Sequence, residues 1–240
     1  MLNRYLYVLL VASTAASCTS SDQAQQPSEP HSVSIVGEMR KVMREGRLEG
    51  TIRLDTIAKR EHLYGLGPLA YLKGEITVMD GVAYRSVVLP DSSIVVDTTY
   101  DMEAPFFGYA NIPSWTETAL PDSVRTLEDI EGYLDAITKD RKRPFFFRLE
   151  GTVSDAVIHV VNLPDGSVVT SPDEAHVGQV DYPIKGAEAE LLGFYSTEHK
   201  AVFTHHDTFV HIHLITADRS MMGHVDALTL GSGVRLYLGD

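Results

Sequence analysis

Cysteine is nearly absent from this 240-residue chain, the single one being Cys18. No disulfide can form within the chain, and a fold built from it has to be held by packing and hydrogen bonds alone. Positive charge is also scarce. Twenty Lys and Arg stand against 33 Asp and Glu, a formal net charge of −13, which argues against a nucleic-acid partner and against electrostatic docking on anionic lipid. After the first eighteen residues there is no apolar run long enough to cross a bilayer. There is also no glycine-rich nucleotide loop and no repeat that would build a solenoid. What the chain does have is an ordinary apolar content of 44%, many short alternating segments, and ten histidines placed unevenly.

The first eighteen residues, MLNRYLYVLLVASTAASC, combine a basic start at Arg4, an apolar run and small residues before Cys18. That pattern is a secretion signal rather than part of a domain. Ala15-Ala16-Ser17-Cys18 resembles the bacterial lipobox, with Ala15 where leucine is preferred; the alternative is an ordinary signal peptide with an incidental cysteine. The expectation is a signal peptide over 1–17, a lipidated Cys18 and a flexible polar tether over 18–32. The mature protein would then be exported and attached to the bacterial cell envelope, touching the membrane only through the lipid on Cys18.

About 210 residues remain, enough for one large domain or two small ones. A helix is expected from Ser34 to Glu45, stopped by Gly46, and a second short one after Asp55. GEITVMDG, VAYRSVVLP and SIVVDTTY then alternate over short lengths with turn punctuation, the pattern of antiparallel strands. APFFGYANIPSWTETALP carries three prolines and reads as an irregular or edge strand. Thr126 and Asp129 form a capping box in front of the stripe Leu127, Ile130, Leu134 and Ile137. From Phe145 onward strands dominate. The expected fold class is α+β with two sheet-based lobes. These are a mixed N-terminal lobe over 33–140 and a mostly antiparallel β lobe over 141–240 that carries a metal site.

The metal site is read from the stretch Val202–Leu228, which holds five of the ten histidines. His211 and His213 alternate within the strand-like FVHIHLIT, so a period of two points both rings to one face. A turn centred on Asp218 and Arg219 puts His224 directly opposite His213, where Cβ atoms are about 4.5–5.5 Å apart. Three imidazoles meeting with a position left open is the pattern of a catalytic zinc site rather than a structural one. Of His205 and His206 only His205 has the parity to share that face, as a partner of a ligand or a proton donor. His159, inside the apolar DAVIHVVNL, reads equally as a buried histidine bonded to backbone. Cupin barrels also carry His-x-His, but with a glutamate a few residues later, and Ile215-Thr216-Ala217-Asp218 contains none.

Two segments, LYGLGPLAYLKGEITVMDG (63–81) and HIHLITADRSMMGHVDAL (211–228), resemble the α-acetolactate decarboxylase family. The resemblance rests on Gly65-Leu66-Gly67, on Gly74-Glu75 with Asp80-Gly81, and on His211, His213 and Gly223-His224-Val225. It implies a zinc-dependent carbon–carbon lyase that converts 2-acetolactate, or a related small 2-hydroxy-3-oxo acid, to acetoin, and it implies a homodimer. Within it, His211, His213 and His224 are the metal ligands and Glu75 is the active-site acid or base. Three features depart from the family pattern. Pro68 stands where a threonine precedes that glutamate. His159 stands where an arginine contacts the substrate carboxylate, leaving Arg148 or Arg85 as replacements. No glutamate follows Glu198, whereas the family brings one into the site from its C-terminal tail. These departures leave open a non-decarboxylating relative, either an enzyme acting on another hydroxy-keto compound or a cell-surface binding lipoprotein.

Overall fold

A computed structural model describes residues 32–200, 202–204 and 208–239. The expected signal peptide, Cys18 and nearly all of the tether lie outside the described residues, as do His205 and His206. The N-terminal part runs β1 (Ser34–Val36), α1 (Met39–Glu45), β2 (Ile52–Arg53), β3 (Leu63–Pro68), β4 (Glu75–Met79), β5 (Val82–Val88), β6 (Ile94–Thr98), β7 (Glu103–Ala104) and β8 (Phe107–Asn111). Six of these make a sheet in the order β1-β8-β3-β4-β5-β6, every neighbouring pair antiparallel. The second part runs β9 (Trp115–Thr118), α2 (Leu127–Ile137), β10 (Phe145–Val160), α3 (Pro172–Ala175), β11 (Val180–Tyr195), β12 (Val210–Thr216), β13 (Met222–Leu230) and β14 (Arg235–Gly239). Its sheet order is β11-β12-β13-β10-β14-β9, and β10 also pairs with β11. The strands β10 to β13 therefore close on themselves.

Alternation decides what each face does. In β4, Ile76 and Val78 point into a cluster with Leu63 and Phe107 behind the first sheet, which leaves Glu75 and Thr77 on the opposite face. In the second sheet, Ile212, Leu214 and Val225 pack under Ile130 and Leu134 of α2. The other face presents Phe146, Leu192 and Phe194 to Tyr64, Leu66 and Phe106 of the first part. His211 is paired with Phe194 and His213 with Leu192, so both histidines look toward the first sheet from within this interface. The capping box forms as expected, with the Thr126 hydroxyl accepting from the Asp129 amide and the Asp129 carboxylate accepting from the Thr126 amide.

Both helix expectations are corrected. The helix expected from Ser34 begins only at Met39. Ser34, Ile35 and Val36 extend along β8 instead, and Gly37 turns the chain at φ +75° where an added Cβ would lie 2.1 Å from the Pro105 carbonyl oxygen. The helix expected after Asp55 is a single 3-10 turn, Leu54–Thr56. The proline-bearing aromatic segment divides between the two sheets: β8 is internal, lying between β1 and β3, whereas β9 is an edge strand of the second sheet, as expected, and the prolines fall outside the paired residues. β9 pairs with β14 and α2 packs on the second sheet, so both belong with the strands that follow them.

Candidate metal centre

The hairpin between β12 and β13 is set by its turn. Asp218 Oδ1 accepts from the Thr216 hydroxyl at 2.7 Å, from the Ser220 amide at 3.0 Å and from the Ser220 hydroxyl at 2.8 Å. These bonds depress the Asp218 carboxyl to about 2, the Thr216 hydroxyl contributing most. Arg219 takes the left-handed conformation (φ 61°) that reverses the chain. The register that results pairs His213 with His224, as the spacing predicts. Gly223 allows β13 to reach β10: a Cβ there would lie 2.4 Å from the His159 carbonyl oxygen. His224 is consequently paired with His159 on its other side.

His211, His213 and His224 are buried, and their ligand nitrogens all lie within 4.8 Å of one another. His211 Nε2 and His213 Nε2 are 3.3 Å apart. Nitrogens bound tetrahedrally at about 2.0–2.1 Å from one ion sit roughly 3.3–3.4 Å from each other, so this pair already has the spacing of two ligands. His211 and His213 are also oriented from behind. His211 Nδ1 lies 2.8 Å from the Phe203 carbonyl oxygen, which can only accept, so Nδ1 carries the proton and Nε2 keeps a lone pair. His213 Nδ1 lies 2.9 Å from the Thr77 hydroxyl. Burial, and then the neighbouring His211 and His159, hold His213 well below its ordinary pKa, with a backbone bond to Ile76 working the other way. A neutral imidazole is the form that binds a metal. The donor set therefore fits a divalent ion that accepts nitrogen ligands.

Glu75 enters from the first sheet. Its Oε2 is 3.7 Å from His213 Nε2 and its Oε1 is 4.0 Å from His159 Nε2, and the Val161 amide donates to Oε1 at 3.4 Å. Burial pushes the Glu75 carboxyl up to about 8, with the charge on His159 and the Val161 amide opposing. Without an ion in the site, burial therefore favours the protonated form of this carboxyl at neutral pH.

His159 is not bonded to backbone. Its Nδ1 faces both oxygens of Asp226 at 2.8 Å. Burial lowers the His159 pKa, but the Asp226 bond and the nearby negative charges outweigh it, and the net direction is up. The hydrogen bond to Asp226 contributes most to that rise, followed by the charges of Glu75 and Asp226.

A cavity of about 30 Å³ is lined by Pro68, Leu72, Glu75, His159, His176 and His224, among others. Neither arginine expected as a substitute is there. Arg85 is on the opposite face of the first sheet from Glu75 and pairs with Asp97 at 2.9 Å. Arg148 is eleven positions from His159 along β10, bound to Glu150 and lying over the rings of Tyr64, Trp115 and Tyr237.

The structure thus brings together Glu75, His159, His211, His213 and His224. It adds Thr77, Asp226 and His176, which sequence reasoning missed. Thr77 carried a legible signal, lying two positions after Glu75 on the same face of β4, whereas Asp226 is the extra residue where the pairing of β13 with β10 shifts register, which strand alternation does not announce. His176, whose ring is 5.8 Å from that of His159, comes from the loop around α3 and had none.

The chain matches the alpha-acetolactate decarboxylase family model over residues 36–239. It is 26% identical to the alpha-acetolactate decarboxylase of Lactococcus lactis subsp. cremoris over 196 residues, covering 78% of this chain and 76% of that one. With the enzyme of Streptococcus thermophilus it shares 24% over 197 residues, covering 79% and 77%. Its fold is similar to the crystal structure of acetolactate decarboxylase from Bacillus subtilis subspecies spizizenii, with a TM-score of 0.70 at 20% identity, covering 86% of this chain and 85% of the other. The ligand histidines, the buried glutamate and the two facing sheets occur in a chain matched along nearly all its described length, and this protein belongs to the alpha-acetolactate decarboxylase family.

Proposed function

We propose that this protein is a zinc-dependent lyase that decarboxylates 2-acetolactate, or a closely related 2-hydroxy-3-oxo acid, to acetoin. The observation that carries the reading is the buried Glu75 carboxyl 3.7 Å from a ring nitrogen of the three-histidine cluster. His211, His213 and His224 would hold the ion. When bound, it supplies Lewis acidity where negative charge builds on the substrate oxygens as carbon dioxide departs.

The remaining chemistry belongs to the side chains. Loss of carbon dioxide breaks a carbon–carbon bond and leaves its electron pair on the substrate, and a proton has to be returned to carbon to give the neutral product. Glu75 holds such a proton at neutral pH and is shielded from water, the condition for a general acid. His159, fixed through Nδ1 by Asp226, turns Nε2 toward Glu75 and stands at the wall of the cavity where a substrate carboxylate can be met. Pro68 is paired with Glu75 across the sheet and offers no side-chain hydrogen bond, so discrimination at that wall rests on shape.

The test is metal analysis of the purified protein coupled to an acetoin assay with 2-acetolactate. About one zinc per chain together with acetoin release supports the reading. Metal without turnover of any 2-hydroxy-3-oxo acid overturns the activity, and absence of metal overturns the site. The N-terminal pattern supports the further proposal that the enzyme is exported and held at the cell envelope through Cys18.

A further inference from the structure

Thr77 follows Glu75 on the same face of β4, and its hydroxyl lies 2.9 Å from His213 Nδ1. Both side chains have 0% exposure. We infer that Thr77 is a positioning residue for the metal centre, accepting the Nδ1–H of His213 and so committing that ring to the tautomer whose Nε2 can serve as a ligand. The inference rests on the three histidines being the metal site.

The reasoning is one of proton counting. A neutral imidazole carries one proton on one of its two nitrogens, and the nitrogen that carries it has no lone pair to give. His211 has its choice made within the second part of the chain, by a carbonyl oxygen that can only accept. His213 has no such local partner, and at zero exposure water does not supply one. Its Nδ1 partner comes from the other sheet, 136 positions away in sequence.

A hydroxyl can donate or accept, so Thr77 can satisfy either tautomer, but only the accepting arrangement leaves Nε2 a lone pair for an ion shared with the neighbouring Nε2 of His211, 3.3 Å away. An apolar side chain at position 77 would strip the Nδ1 proton of its hydroxyl acceptor whenever Nε2 is a ligand, leaving the main-chain bond to Ile76. The energy of the lost hydrogen bond would be subtracted from metal binding. The metal centre is therefore completed by packing of the first sheet on the second, through β4.

The experiment compares the full mature chain with Thr77→Val, which keeps the shape and removes the hydroxyl, and Thr77→Ser, which keeps the hydroxyl. Metal-stripped samples are titrated with Zn2+ against a chromophoric chelator, and the thermal midpoint of each metal-free protein is recorded. Thr77→Val is expected to bind roughly 10–100-fold more weakly, the usual effect of losing a partner behind a ligand, while Thr77→Ser stays within about threefold of the parent. If the parent binds zinc and a folded Thr77→Val binds as tightly, the inference fails. It also fails if Thr77→Ser loses as much as Thr77→Val, which would assign the effect to the methyl group. Should Thr77→Val not fold, long-range proton–nitrogen correlation of His213 in the zinc-loaded parent decides: an Nδ1–H ring bound through Nε2 is expected, and an Nε2–H ring bound through Nδ1 overturns the inference. A parent that binds no zinc refutes the metal site itself, which is a different outcome from any of these.

Discussion

Glu75 and His213 meet across the two sheets, with the carboxyl Oε2 3.7 Å from the ring Nε2 and both side chains buried. A carboxylic acid beside a ligand nitrogen is placed to act on whatever the centre holds, without being needed to hold it. Glu75→Gln keeps the shape and removes the transferable proton. Turnover is expected to fall by about 10²–10⁴-fold while metal content stays at that of the parent. Loss of metal in this variant would make Glu75 a ligand instead, and unchanged turnover would remove it from the mechanism.

His213 is the central residue of the three-histidine cluster, bonded from behind by Thr77 and adjacent to both His211 and Glu75. His213→Ala is expected to copurify without metal. A ligand present at 100 times its dissociation constant stabilises the native state by about 2.7 kcal/mol. A chelator should therefore lower the melting temperature of the parent and leave that of His213→Ala where it was. Equal shifts in the two proteins would contradict the ligand role.

Gly223 is the point of closest approach between β13 and β10, where a Cβ would sit 2.4 Å from a main-chain oxygen. That oxygen belongs to His159 and cannot swing away as a side chain would. Gly223→Ala is expected to destabilise the fold by about 1–3 kcal/mol and to weaken metal binding by displacing His224. Denaturant unfolding with a parallel zinc titration measures both. Loss of stability without any loss of affinity would show that the hairpin moves as a unit.

The turn that sets the hairpin predicts a pH dependence. Asp218 titrates at about 2 in the folded chain against an ordinary 3.8, so its ionised form is favoured by folding. The stabilisation it contributes is complete above about pH 4 and disappears as pH falls through about 2. Asp218→Asn should be less stable than the parent at pH 7, and the difference should close near pH 2. Denaturant midpoints at the two pH values decide it; a gap that persists at pH 2 would mean that charge is not the cause.

If Cys18 is the lipidated residue, Cys18→Ser expressed in a bacterial host should move the protein from the membrane fraction to the soluble exported fraction. Retention in the membrane fraction would assign attachment to something else.

The clustering of the three histidines was readable because strands have a period of two and hairpins have a register. His211 and His213 share a face by alternation, and His224 follows from a turn at Asp218 and Arg219. The capping box at Thr126 was readable for a similar reason, since every group in it lies within four residues of the others. The first helix was misplaced because Ser34–Val36 follows β8, a partner more than seventy positions away. The preference of Ile35 and Val36 for an extended chain is satisfied by that pairing rather than by any local pattern. His159 was read as a buried histidine bonded to backbone because nothing in DAVIHVVNL announces Asp226, which reaches it across the β10–β13 pairing.

By itself the sequence determined everything that depends on neighbours along the chain: the strand alternation, the turn, the register of the three histidines, and the motifs that resemble the family. The tertiary structure alone decided what stands behind and opposite those histidines. Thr77 and Glu75 reach His213 from the other sheet, Phe203 fixes His211, and Arg85 and Arg148 are spent elsewhere. The physical reason is that tautomer and proton affinity depend on which polar groups share a dry interface. That interface exists only once two sheets, separated by most of the chain, have packed face to face.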